Sequence, residues 1–149
     1  MPDKGNACVT PDAGSSGKAF HQSYPAVATS VSAVRAGLRQ FARSLDLPAA
    51  MIDAIELAVS EAATNVVVHA YRETNVPGTI DVTATVAVDE LWVIITDTGL
   101  GLRPRADSPG LGLGLAIVAQ LADGFDLARP STGGLELRMR FALPRQGGR

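Results

Sequence analysis

The stretch Glu56-Leu57-Ala58-Val59-Ser60-Glu61-Ala62-Ala63-Thr64-Asn65-Val66-Val67-Val68-His69-Ala70-Tyr71 decides the fold. No Gly or Pro interrupts it, so a helix from about Ala49 to His69 is predicted. At 100° per residue, Ile55, Val59, Ala62, Val66 and Ala70 make one broad apolar face. The opposite side is interrupted by Leu57, Ala63, Val67 and Val68, so the helix is expected to be covered on most sides. Glu61 and Asn65 nevertheless stand one turn apart, and His69 continues their stripe. An unpaired polar group on a covered helix costs about 1–3 kcal/mol. Two readings stay open at this point: an exposed strip, or a site where an amide oxygen meets a hard cation and a carboxylate takes a proton.

Upstream of this helix, Ala19 to Pro25 reads as a short strand. A second helical pattern follows, with Val27, Val31, Val34, Leu38, Phe41 and Leu45 spaced by three and four. Arg35, Arg39 and Arg43 recur on another of its faces, and Leu47-Pro48 ends it. Downstream, Tyr71 to Gly78 is a loop. Thr79 to Val88 then alternates strictly, with Ile80, Val82, Ala84, Val86 and Val88 on the apolar side. Asp89-Glu90 is expected to turn the chain into the apolar run Leu91 to Thr96. A glycine-punctuated loop from Gly99 to Gly112 precedes a helix from Leu113 to Ala122, and strands at Phe125–Ala128 and Leu135–Leu143 close the pattern. The sum is an α+β two-layer sandwich, a mixed and mostly antiparallel sheet covered on one face by helices. Residues 19–144 form this domain, between a flexible N-terminal tail at 1–18 and a short C-terminal tail at 145–149.

Composition narrows the function classes. The 149 residues are 46% hydrophobic and 19% charged, enough to fill a core. A net charge of −2 and a pI near 5.6 argue against an electrostatically driven nucleic-acid binder. The single cysteine, Cys8, forms no internal disulfide. No run approaches the roughly 18 apolar residues of a membrane span, and no signal-peptide core opens the chain. A disulfide scaffold and a membrane protein are thereby excluded, and a cytoplasmic location is expected.

Two further places carry polar or glycine residues against the local pattern. The apolar strand runs directly into Asp97-Thr98-Gly99-Leu100-Gly101, an acid at a buried strand end followed by two spaced glycines. That arrangement suits close approach of backbone to a ligand, or an ordinary turn with Asp as turn former. Then Pro109-Gly110-Leu111-Gly112-Leu113-Gly114-Leu115 opens a helix, where exposed amides favour anions. No Gly-Lys-Ser/Thr follows, so it is not a P-loop. Its alternate glycines after a loop do not form the dinucleotide fingerprint.

Together, Glu61-x-x-x-Asn65, Asp97-x-Gly99-x-Gly101 and Gly112-x-Gly114 resemble the N, G1 and G2 boxes of one ATP-binding superfamily. It is the superfamily shared by histidine kinases, type II topoisomerases and bacterial anti-sigma-factor serine kinases, built on the Bergerat ATP-binding fold. The Glu56–Tyr71 stretch is similar to the anti-sigma kinase branch in particular, and the resemblance spans roughly Phe20 to Leu143. It implies ATP and Mg²⁺ as cofactors, Asn65 as the side-chain Mg²⁺ ligand and Glu61 as catalytic base. It implies that Asp97 accepts a hydrogen bond from the adenine amino group and that Gly99 and Gly101 shape the adenine pocket. Gly112 and Gly114 would let phosphates approach the following helix. Arg35 falls near the position that resembles the family's sigma-factor contact.

The activity so implied is an ATP-dependent serine/threonine protein kinase that doubles as an anti-sigma factor. It would phosphorylate an anti-anti-sigma protein of the STAS type and sequester a sigma factor, with a homodimer as the expected assembly. Two departures from the family pattern stand out: the segment between Gly101 and Gly112 is short for an ATP lid, and Leu135 occupies a position where family members tend to carry Thr. Both favour the alternative, a nucleotide-binding regulatory module that sequesters partners without kinase activity.

Overall fold

The alternation in the Thr79 stretch is realised as a strand that buries Ile80, Val82 and Ala84 completely and leaves Asp81, Thr83 and Thr85 on its other face. The computed structural model describes residues 18–71, 78–97, 111–128 and 134–145. Its elements are β1 (Ala19–Pro25), α1 (Ser30–Ser44), α2 (Ala49–Tyr71), β2 (Thr79–Ala87), β3 (Glu90–Asp97), α3 (Leu111–Leu121), β4 (Gly124–Ala128) and β5 (Glu136–Ala142). The strands form one five-stranded sheet in the order β1-β2-β3-β5-β4. Each pairing among them is antiparallel, which narrows the mixed sheet allowed by the sequence pattern.

The register explains why only one face is covered. Val82 lies opposite Ile95, Ala84 opposite Val93, and Ile95 opposite Leu137. All are fully buried and face the helices. Each such aliphatic side chain contributes about 1.5–3 kcal/mol relative to exposure. The other face presents His21, Thr83, Trp92, Ile94, Arg138 and Arg140 in the alternate positions of the same strands. His21 is therefore an exposed strand residue, as its place in the pattern predicts.

α2 is the middle helix, in contact with α1, α3 and β3. That position accounts for its nearly uniform apolarity: Ile55, Ala58, Val59, Ala62, Ala63, Val66 and Val67 are all buried. Of the four residues interrupting its polar side, Ala63 and Val67 are covered, while Leu57 and Val68 remain exposed. α1 packs through Val34, Leu38, Phe41 and Ala42, and the Phe20 and Phe41 rings meet with centroids 5.9 Å apart. A Cβ on Gly37 would lie 2.9 Å from the Tyr24 hydroxyl oxygen and 3.0 Å from Phe20 Cζ. A glycine in mid-helix, normally about 1 kcal/mol worse than Ala, is what lets α1 lie this close to β1.

Several boundaries differ from the sequence expectation by one to three residues. α1 starts at Ser30, because residues 27–29 make turn hydrogen bonds, such as Ser30 N–H to Val27 C=O at 2.9 Å. It stops as Asp46 takes φ 55°, a left-handed conformation that Asp tolerates. The β2–β3 hairpin turns at Val88-Asp89, with Ala87 opposite Glu90, so Val88 is not part of the buried face. It is 94% exposed with φ 55°, which is unfavourable for a β-branched residue. α3 starts at Leu111, not Leu113, which puts Gly112 and Gly114 inside its first turns. The tails assigned to 1–18 and 145–149 lie almost wholly outside the described residues.

Candidate functional site

Glu61 and Asn65 project from the middle of α2 towards α3. Both are partly buried, so their stripe is not a freely solvated helix surface. α3 comes close enough that a Cβ on Gly114 would lie 2.6 Å from Asn65 Nδ2, 3.3 Å from Asn65 Cγ and 3.2 Å from Glu61 Oε2. Carbon contacts are comfortable at about 3.5–4.0 Å. Two residues of α2 and one of α3, distant from them in sequence, thus meet at one seam. The Asn65 nitrogen is buried there without a hydrogen-bond partner among the described residues. With Nδ2 turned to α3, the carboxamide oxygen is the opposite end of the group.

Asp97 is the second polar element. It ends β3 and is 1% exposed, one of two buried polar or charged residues among those described, the other being Ser30 at the start of α1. Its backbone is fixed from both sides of the strand: Asp97 lies opposite Ile80, and its N–H donates to Leu135 C=O at 2.8 Å. The residue before β5 thereby clamps the end of β3. Gly134 makes that approach with φ 86°, a conformation that favours glycine. Leu135 itself is 4% exposed and belongs to the hydrophobic core, so this position supplies no hydroxyl.

Gly99, Gly101 and the short lid segment up to residue 110 lie outside the described residues. So do Ser131 and Thr132, as does the side chain of His69. Gly112 lies in α3, at the second residue. The arginine row is only partly a solvated face. Arg35 Nε and Arg39 Nε stand 3.7 and 3.4 Å from the two carboxylate oxygens of Glu56 on α2. Arg43 joins them along an open groove of about 560 Å³, lined also by Ser32 and Gln40. The sequence pattern does not reveal the part of Glu56, because the contact crosses between two helices.

The donor chemistry fits magnesium nucleotide. Among the described residues no group of three His, Cys, Asp or Glu gathers to hold a metal ion. A single carboxamide oxygen is a donor of the kind used by a cation that keeps several waters and takes its other ligands from phosphates. The buried Asp97 carboxylate is an acceptor suited to an exocyclic amine. No described helix is long and apolar enough to cross a membrane.

Residues 24–141 match the family described as Histidine kinase-like ATPase domain. The chain is 32% identical over 136 residues to the Serine-protein kinase RsbW of Halalkalibacterium halodurans, covering 81% of each chain. It is 28% identical over 122 residues to the Anti-sigma F factor of Clostridium acetobutylicum, covering 73% of this chain and 84% of that one. Among solved structures it resembles the RsbU and RsbW domains of a Mycobacterium tuberculosis protein, with a TM-score of 0.67 and 25% identity. That likeness covers 85% of this chain but only 32% of the other, so the present chain spans about a third of that structure. The five-stranded antiparallel sheet under three helices, the Glu61–Asn65–Gly114 seam and these relatives agree: the chain belongs to the histidine kinase-like ATPase domain family, in the branch of the bacterial anti-sigma-factor serine kinases.

Proposed function

We propose that the protein is an ATP-dependent serine/threonine kinase that also acts as an anti-sigma factor. The observation that carries this reading is the seam itself, where a carboxylate and a carboxamide on a covered helix face a glycine of α3. Asn65 would hold Mg²⁺ through its carboxamide oxygen, and the ion would neutralise phosphate charge when bound. Glu61, one turn away, takes the proton from the attacking serine hydroxyl. Asp97 would accept from the adenine amino group, and the family pattern adds Gly99 and Gly101 to that pocket. Gly112, at the start of α3, lets the phosphates approach the helix N-terminus. Phosphoryl transfer asks for positioning and charge neutralisation more than covalent chemistry, which suits a site this sparse.

The phospho-acceptor is an anti-anti-sigma protein of the STAS type, and a sigma factor is the alternative partner. The groove between α1 and α2 supports an acidic sigma-factor surface, because three arginines there face one Glu56. A homodimer in the cytoplasm is the expected assembly. The experiment is incubation with labelled ATP and a candidate antagonist protein, reading serine phosphorylation. Label on the antagonist, lost with Glu61→Ala while ATP binding persists, supports the kinase. Transfer retained by Glu61→Ala assigns the base elsewhere. The core position of Leu135, which offers no hydroxyl to phosphate, favours a second reading: a nucleotide-binding module that sequesters without transferring phosphate. ATP binding and sigma capture without label on any antagonist would select that one.

A further inference from the structure

We infer that Gly114 is a positioning residue, placed so that α3 can hold the Asn65 carboxamide in the orientation that serves the cation. This deepens the reading of Asn65 as a magnesium ligand and rests on it. The family resemblance gives Gly114 a different task, the approach of phosphate. The geometry points inward instead: the missing methyl would meet Asn65 at 2.6 and 3.3 Å and Glu61 at 3.2 Å. Gly114 is buried, four residues into α3, and its neighbour Leu115 packs against the core cluster. The Asn65 nitrogen has no hydrogen-bond partner among the described residues. The α3 backbone at Gly114 stands against that end, since a Cβ there would lie 2.6 Å from Nδ2. Groups that orient a metal ligand from behind typically change metal affinity by roughly 10- to 100-fold when disturbed.

The competing expectation has the opposite sign. Gly to Ala inside a helix normally stabilises it, so a glycine without a packing task would yield a more stable protein. Gly114→Ala is therefore read by melting temperature and by nucleotide affinity, each with Mg²⁺ and with EDTA. The expected result is a lower melting temperature and a roughly 10- to 100-fold loss of affinity confined to the Mg²⁺ condition. In an Asn65→Ala background the collision with Asn65 is relieved and only the 3.2 Å approach to the Glu61 carboxylate is left, so Gly114→Ala should then lower the melting temperature by clearly less than it does with Asn65 present. Ala116→Gly, at an exposed position on α3, should destabilise the helix without a Mg²⁺-specific loss.

A rise in melting temperature with Asn65 present, or equal losses with and without Mg²⁺, would overturn the inference. So would a fall of the same size in both backgrounds. If Asn65→Ala alone leaves the Mg²⁺ dependence intact, the magnesium assignment fails and takes the inference with it. That variant shows the failure by itself, apart from any effect of Gly114.

Discussion

Gly37 and Gly114 are both glycines inside helices, and both sit where a methyl group would collide. What they touch differs. Gly37 brings α1 onto β1, with the Tyr24 hydroxyl and the Phe20 ring as its neighbours. Gly114 brings α3 onto α2, with a carboxamide and a carboxylate as its neighbours. The first contact closes a hydrophobic layer, where shape alone decides the gain. The second closes over groups that are costly to cover, and a fold keeps such a seam when the polar atoms have a task. Identical backbone chemistry thus serves core packing in one place and the closure of a polar seam in the other.

The largest expected effect lies on the polar side of that comparison. Asn65→Ala should abolish Mg²⁺-dependent nucleotide binding, measured by titration with and without EDTA. Unchanged affinity in Mg²⁺ would make the α2–α3 seam a packing contact like the one at Gly37. Asp97→Asn should weaken ATP by about 1.5–3 kcal/mol, the value of a hydrogen bond to a charged group. Calorimetry on the folded variant checks it, and no loss would remove Asp97 from the adenine pocket.

The effects on the apolar side are smaller and should appear in stability alone. Gly37→Ala should cost a net ~1 kcal/mol, since overpacking by about 1–3 kcal/mol outweighs a helix-propensity gain near 1. Thermal melts should show partial repair by Tyr24→Phe, which removes the colliding oxygen and leaves Phe20 Cζ at 3.0 Å. A Gly37→Ala protein with altered Mg²⁺ dependence would erase the distinction between the two seams.

The smallest effect is a pH slope at the same contact. Burial raises the Tyr24 phenol above its ordinary 10.0. The folded state then holds this proton more tightly than the unfolded chain does. Its contribution is intact below pH 10 and lost as pH rises through the folded value. Tyr24→Phe should flatten that part of the stability profile.

Much of the molecule was legible in the residue pattern because period and composition are local. The strict alternation from Thr79 and the uninterrupted Glu56–Tyr71 run each allow one secondary structure, and burial followed from them. The hairpin turn was displaced by one residue, since Val88 continues the alternation in sequence yet takes up the turn. The start of α3 shifted by two for a related reason: alternate glycines read as loop, while packing against α2 holds them in a helix.

The site divides in the same way. Glu61 and Asn65 were visible as polar residues on a covered helix, and Asp97 as an acid ending an apolar strand. Those are statements about one element at a time, which periodicity can reach. That Gly114 lies on Asn65, that Leu135 clamps Asp97 by its carbonyl, and that Glu56 receives Arg35 and Arg39 are contacts between elements. Sequence by itself determined which side chains this protein has to spend on chemistry. Only the tertiary structure decided which of them meet, because helix and strand periods set the direction of a side chain and not its neighbour in another layer.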